Sequence, residues 1–291
     1  MAPRDLAREV LGQRFQNPVL LASGTAGFGC ELDGVMDLDR LGGIVTKAVS
    51  LEPRKGNAPP RVAEFRGGML NSVGLANPGL IHVREVELAW LTRRLARARI
   101  LVNVVGFRVG EYAEVVGGLD GMVGITAFEL NLSCPNTSAG GIEFGADREC
   151  VARIVSSCRA RTRLPLVAKL SPVLPDIGGM ALVARDAGAD ALTVVNTMPG
   201  FLSGGRAVPK LGAGSGGVSG PALLPIGLLA VQRVLERTGG IPVIGVGGIR
   251  SATDVRQYLR AGAMLVEIGT AALADPRLPE RVVRDLEAGV M

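Results

Sequence analysis

Short apolar runs alternate with longer mixed segments along all 291 residues of the chain. The runs are Pro18–Ala22, Gly43–Thr46, Ile100–Val105, Ile125–Leu130, Pro165–Leu170, Ala191–Val195, Ile241–Val246 and Ala263–Ile268. Each is rich in Val, Ile and Leu with little polar alternation, as expected of strands buried on both faces of a parallel sheet. Between them, Ile81–Ala98 carries Val83, Val86 and Leu88 at helical spacing among Arg and Glu, and Met180–Ala187, Ala222–Arg237, Thr253–Ala261 and Pro279–Ala288 also read as helices. A strand followed by a helix, repeated across roughly 250 residues or more, predicts an α/β fold, a (β/α)8 TIM barrel rather than a doubly wound open sheet. No linker or break in composition divides the repeats, so residues 1–291 are expected to form a single domain. Two stretches, Ala48–Leu80 and Met198–Pro221, are rich in Gly and Pro and too long for ordinary βα loops. They are expected as long loop insertions covering the C-terminal face of the barrel.

Composition narrows the chemistry. Aromatic residues make up 3%, too few for a base-stacking surface. The net charge of +5 comes from arginines spread along the chain rather than blocked, so no nucleic-acid partner is expected. A single histidine, His82, excludes a zinc site needing several imidazoles and any catalytic pair of histidines. The four cysteines, Cys30, Cys134, Cys150 and Cys158, form no Cys-x-x-Cys pair, so neither a metal nor an iron–sulfur cluster is expected in this chain. The first residues have no apolar signal core, and no run of roughly 18 apolar residues occurs. The chain therefore reads as cytoplasmic, without a membrane span and with reduced thiols.

A barrel enzyme works at the C-terminal ends of its strands. In order, the runs end in or contain Ser23-Gly24, Thr46-Lys47, Asn103, Asn131-Leu-Ser-Cys-Pro-Asn136, Lys169-Leu-Ser171, Asn196-Thr197, Gly247-Gly248 and Gly269-Thr270. The chain has only four lysines, at 47, 55, 169 and 210, against 28 arginines, so a lysine on a buried strand is informative here. Lys47 and Lys169 are placed to meet an anion; a structural salt bridge is the alternative for each. Gly247, Gly248, Gly269 and Thr270 sit where barrels hold a phosphate on bare backbone, although glycine also permits a tight turn.

Cys134 lies in a turn just past the fourth run. An unperturbed thiol, with a pKa of about 8.5, is a few percent thiolate at neutral pH and can serve as a base. With no histidine partner expected, proton abstraction suits Cys134 better than acyl transfer. Cys150 and Cys158 read as apolar filler on the following helix, and His82 is assigned no role. Gly245–Gly248 lacks the third glycine of a dinucleotide fingerprint.

This ordered set resembles the class 1 dihydroorotate dehydrogenases, flavin barrels of pyrimidine biosynthesis, and in particular the class 1B catalytic subunit. The resemblance runs from Asn17–Gly24 to Glu267–Thr270. Its most specific pieces are Thr46-Lys47, Asn71–Gly79, Asn131–Asn136, Lys169–Pro172, Val195–Thr197, Gly216–Pro221 and Gly245–Ile249. The resemblance implies FMN as cofactor and oxidation of dihydroorotate to orotate. Cys134 matches the base that takes a proton from C5 while C6 gives hydride to flavin N5. Lys169 matches the lysine near flavin N1 and O2, and Lys47 one that reaches both flavin and the substrate carboxylate. Asn71, Asn131, Asn196 and Thr197 match groups that hold the pyrimidine ring, with Ser72, Val73, Gly74 and Leu75 beside Asn71. Ser23, Ala48, Asn103, Asn131, Val195 and Gly220 match flavin contacts, and Gly247, Gly248, Gly269 and Thr270 the phosphate end.

Class 1B also implies a separate electron-transfer subunit carrying FAD and an iron–sulfur cluster, with NAD as acceptor and a homodimeric core inside a heterotetramer. Gly200–Ser215 departs from the pattern of that subclass. The alternatives are the fumarate-using class 1A enzyme and a related flavin barrel that reduces a uracil ring, resembling dihydropyrimidine dehydrogenase or tRNA dihydrouridine synthase. A third is a scaffold that kept flavin without turnover, against which Cys134, Lys47 and Asn71 argue.

Overall fold

The computed structural model describes residues 5–133, 144–205 and 208–290. A hairpin of β1 (Arg8–Val10) and β2 (Gln13–Phe15) comes first; Leu11 and Gly12 between them both take left-handed backbone, which makes the two-residue turn. Then follow β3 (Val19–Leu21), β4 (Gly43–Val45) and a second hairpin, β5 (Val62–Phe65) with β6 (Gly68–Asn71). The next helix consists of α1 (Leu80–His82), a π-helical turn over Val83–Glu87 and α2 (Leu88–Arg94). Strand and helix now alternate through β7 (Arg99–Val104), α3 (Val109–Leu119), β8 (Ile125–Asn131), α4 (Arg148–Arg159), β9 (Leu166–Leu170), α5 (Ile177–Asp186) and β10 (Ala191–Val194). After β11 (Met198–Gly200) and β12 (Gly216–Ser219) come α6 (Leu224–Thr238), β13 (Val243–Val246), α7 (Ala252–Arg260), β14 (Leu265–Ile268), α8 (Thr270–Ala274) and α9 (Leu278–Ala288).

Strands β3, β4, β7, β8, β9, β10, β13 and β14 pair in parallel in that order and close with β14 against β3, the expected (β/α)8 barrel. Each of the eight apolar runs contains one of these strands or most of it. Sequence reading erred at the first unit. There β3 leads only into single 3-10 turns, Cys30–Leu32 and Leu38–Arg40, and the C-terminal helix α9 packs against β3 instead.

The two expected loop insertions carry strands. They leave the C-terminal ends of β4 and β10 and join in one antiparallel sheet of order β11-β12-β6-β5, in which Asn71 pairs with Gly217. Helix starts follow ordinary capping: Asp147, Asp176 and Ser251 accept backbone N–H groups at the heads of α4, α5 and α7.

Two apolar cores result. One fills the space between the outer faces of the strands and the helices. The other lies inside the barrel and comprises Leu20, Val45, Leu101, Ala127, Val167, Ala191, Ile244 and Leu265, one from each strand, with Val10 and Phe15 of the first hairpin packed against them. That hairpin closes the N-terminal end of the barrel, leaving the C-terminal end for chemistry. No helix among the described residues is long and apolar enough to cross a membrane.

Candidate active site

Alternate strand residues face the same way, so the interior positions above the apolar plug lie two residues further along each strand. Leu101 is followed by Asn103, Ala127 by Glu129, Val167 by Lys169, Ala191 by Thr193 and Leu265 by Glu267. All five of these polar residues are buried. Lys169 Nζ lies 2.9 Å from Glu267 Oε2 and 3.3 Å from Glu129 Oε1. Asn103 Nδ2 donates to Glu129 Oε1 at 2.7 Å, and Thr193 Oγ1 donates to Glu129 Oε2 at 2.8 Å. Both readings of Lys169 therefore stay open: it is a buried ion pair, and it also sits at the floor of the open end.

Burial pulls the Lys169 ammonium down, but the two carboxylates outweigh it and hold its pKa above the ordinary value. Burial, and then the Glu129 charge, push Glu267 up to about 8. Burial also acts on Glu129, yet the Lys169 charge and donors from Glu267, Thr193 and Asn103 keep it below the usual carboxylate range.

Just above this layer the strand ends bring the expected ring-binding groups together. Asn196 Nδ2 donates to Asn131 Oδ1 at 3.3 Å, and the same oxygen accepts the Ser133 N–H at 3.2 Å. Asn131 is itself fixed by Tyr112, whose hydroxyl donates to its carbonyl at 2.8 Å. Asn71 reaches in from the covering sheet, its Nδ2 donating to Gly217 O at 3.1 Å. A side chain at 217 would put Cβ 2.1 Å from Thr197 Oγ1, so glycine there lets Thr197 approach the strand that carries Asn71's partner.

Asn57 holds the segment after Asn71: its Nδ2 donates to Ser72 Oγ at 2.8 Å, and its N–H to Val73 O at 3.0 Å. Gly74 and Leu75 follow in left-handed backbone, which is uncommon for a residue as bulky as leucine. Asn77 Nδ2 secures the carbonyl of Leu75 at 2.8 Å. Lys47 is half-buried at the end of β4 beside the buried Ala48, and no carboxylate among the described residues pairs with it. The two lysines thus differ: one is paired internally, and the other has no carboxylate partner among the described residues.

At the opposite rim, β13 and β14 run side by side in register, Val246 against Glu267, so Gly247-Gly248 and Gly269-Thr270 emerge next to each other. Gly247 and Gly248 have positive φ, and a Cβ on Gly248 would strike Leu224 N at 2.6 Å, so internal packing alone requires glycine there. Gly269 is different. Its φ is −109°, and an added Cβ would meet nothing closer than Ala22 at 3.5 Å. Packing within the chain leaves room for a side chain at 269, and a ligand pressed against the main chain would use that room. Tyr258 braces this rim, its hydroxyl 2.8 Å from Gly247 O and 3.1 Å from Val246 O.

Thr270 Oγ1 donates to Ser219 Oγ at 2.8 Å, tying the rim to the covering sheet just before Gly220, which lies against Gly68. Val195 is buried at the end of β10, and Ser23 is half-buried just past β3. Cys134 lies outside the described residues.

Buried polar atoms without a partner concentrate at the same end. Among the described residues they are Asn103 Oδ1, Ser133 Oγ, Ser171 Oγ and Glu267 Oε1, and one more far off at Arg40. Such atoms are rare in folded proteins, and four of the five stand at the open end of the barrel. Sequence reading missed Glu129, Thr193 and Glu267 because each lies inside a run read as apolar. The signal was present: each stands two residues beyond an interior hydrophobic, in the same register as Lys169.

The family model described as dihydroorotate dehydrogenase matches residues 5–290. The chain belongs to the dihydroorotate dehydrogenase family. It is 45% identical over 281 residues to the dihydroorotate dehydrogenase B (NAD+) catalytic subunit of Desulforudis audaxviator, covering 96% of this chain and 90% of the relative. A Solibacter usitatus relative, provisionally named dihydroorotate dehydrogenase A (fumarate), is 44% identical over 287 residues, covering 98% and 93%. The crystal structure of the Eimeria tenella dihydroorotate dehydrogenase with ferulenol shares the fold, with a TM-score of 0.82 at 24% identity, over 98% of this chain and 86% of that one. Family membership makes the protein an oxidoreductase of pyrimidine biosynthesis.

Proposed function

We propose that this barrel, acting as one catalytic domain in the cytoplasm, binds FMN and oxidises dihydroorotate to orotate. The observation that carries this reading is the polar layer at the open end, with a buried lysine, a ring of amide side chains above it and unpartnered buried polar atoms among them. These residues fit FMN. Lys169, Asn103, Asn131, Ser23, Ala48, Lys47, Val195 and Gly220 would hold the flavin, and the bare backbone of Gly247, Gly248, Gly269 with Thr270 would hold its phosphate. When bound, FMN supplies a two-electron acceptor for the hydride that leaves C6 of the substrate.

The chain's own groups supply the rest. Asn71, Asn131, Asn196 and Thr197 present amide and hydroxyl groups that match a pyrimidine ring, with Ser72, Val73, Gly74 and Leu75 closing over it. Lys47, with no internal partner among the described residues, offers its charge to the substrate carboxylate. Cys134, as thiolate, takes the C5 proton, so that loss of proton and hydride leaves a C5–C6 double bond.

A separate subunit with FAD and an iron–sulfur cluster would pass the electrons to NAD, with two copies of this chain at the core of a heterotetramer. The relatives' name, dihydroorotate dehydrogenase B (NAD+) catalytic subunit, supports a partner subunit and NAD as acceptor. The fumarate name of the Solibacter relative supports class 1A as the second reading.

The test uses purified full-length protein. It should be yellow and should bleach anaerobically when dihydroorotate is added; a colourless protein without affinity for FMN overturns the proposal. Cys134→Ala should keep the flavin and bind orotate but lose most of its reduction rate. Co-purification with a flavin–iron–sulfur protein supports class 1B, and efficient fumarate reduction by this chain alone supports class 1A.

A further inference from the structure

The layer below the expected ring-binding groups holds three ionisable side chains. Two fully buried glutamates face one buried lysine, so full ionisation would leave a net negative charge inside the barrel. The two carboxyls are not equivalent. Glu129 collects donors from Asn103, Thr193 and Lys169, whereas Glu267 has Lys169 on Oε2 and no partner for Oε1. A carboxylate needs donors, and a carboxylic acid can do with fewer because it is itself a donor. The richer donor set assigns the charge to Glu129 and the proton to Glu267.

We infer that Glu129 and Glu267 are positioning residues for Lys169, an acid–carboxylate pair that shares one proton and holds the ammonium charged and fixed at the floor of the site. The inference rests on the reading of Lys169 as a flavin-binding lysine. Two carboxyls side by side cannot both ionise cheaply, and the elevated pKa of Glu267, near 8, agrees with the assignment. Among the described residues, Glu129 from β8 and Lys169 from β9 are the charged groups facing Glu267. The adjoining strands β13 and β3 place Val246 and Leu20 opposite it, β7 and β10 add Asn103 and Thr193, and Lys47 pairs with neither carboxyl.

While Glu267 holds its proton, Lys169 and Glu129 cancel and the layer is neutral. Loss of that proton makes it negative and opposes added electron density on a bound flavin. The layer's charge, and with it the ease of reduction, then follows pH.

Infrared difference spectra of the full chain between about pH 6 and about pH 10 test the pair without reference to activity. They should show one buried protonated carboxyl that titrates away on raising the pH. The band should be missing from Glu267→Gln, and also from Glu129→Gln, where Glu267 is left as the lone counter-ion of Lys169 and takes the charge. In flavin-loaded protein the midpoint potential should fall more steeply with pH across this range, and the extra slope should vanish in Glu267→Gln. A purely structural carboxyl would alter thermal stability on substitution and leave that slope in place. Absence of the band from the unaltered protein, or an identical slope in Glu267→Gln, overturns the inference. Protein that shows the band but binds no FMN overturns the flavin reading and leaves the proton-sharing pair standing.

Discussion

The barrel interior has two levels built by the same eight strands, and they obey opposite rules. The lower level, from Leu20 to Leu265, is wholly apolar and sealed by Val10 and Phe15. Two residues further along, the upper level contains Asn103, Glu129, Lys169, Thr193 and Glu267, linked by hydrogen bonds and ion pairs of 2.7–3.3 Å. The lower level stabilises through dry packing, roughly 25 cal/mol per Å2 of apolar surface removed from water. The upper level is tolerated only because each charge has a partner, and partner-matching of this kind costs about as much in desolvation as it returns. A region that contributes little net stability yet is built in such detail is the one to which the proposed function assigns the flavin.

The sharpest way to break this comparison is to move a charge down one level. Leu101→Lys would bury an ammonium with no carboxylate at its level, a penalty comparable to the whole stability of a domain, about 5–15 kcal/mol. No cooperative unfolding transition should remain in calorimetry; a folded variant with a charged lysine would show that the two levels do not differ as described.

Removing a charge from the upper level comes next. Lys169→Met leaves Glu129 and Glu267 without their cation and should cost about 3–5 kcal/mol in denaturant titration. Much of that loss should return when both glutamates are also changed to Gln. A single substitution without cost would mean that the ion pairs do not form.

A smaller effect is expected at the rim. Tyr258→Phe removes the hydroxyl that braces Val246 and Gly247 and should cost roughly 0.5–1.5 kcal/mol. Its FMN affinity should fall by more than its stability, as measured by flavin fluorescence titration; equal affinity would separate Tyr258 from the phosphate end.

The least drastic test varies pH. Glu267 binds its proton more tightly in the folded chain, its pKa rising from 4.5 to about 8. The folded state therefore holds the extra proton between those values, and the stabilisation is full below 4.5 and lost as pH rises toward about 8. Glu129, held low, works in the other direction and loses its stabilisation on acidification. Glu267→Gln should flatten the alkaline side of the stability curve, and an unchanged curve would count against a buried protonated carboxyl.

Much of this molecule was legible from residue pattern. All eight barrel strands could be read because burial on both faces leaves a mostly apolar run, and that signal is local. Lys47, Lys169, Asn103, Asn131 and Asn196 stand out in the sequence because lysine and asparagine are rare here and these residues lie on the barrel strands or just past their ends. The covering sheet was not readable. Its strand β5 is short and partly exposed, and β6 finds its partner β12 across almost 150 residues, as in the 146-residue separation of Asn71 and Gly217. The missing first helix was hidden for a related reason, since α9, from the far end of the chain, covers β3 in its place.

The sequence by itself determined the repeat, the closed barrel and the end at which chemistry gathers, because strand periodicity and turn chemistry act between near neighbours. Only the tertiary structure decided which polar residues share a level. Glu129, Lys169 and Glu267 look like isolated interruptions of three apolar runs until the barrel closes. Closure then brings β14 within reach of β8 and β9, and in a space without water the lysine and the two carboxyls each need the others.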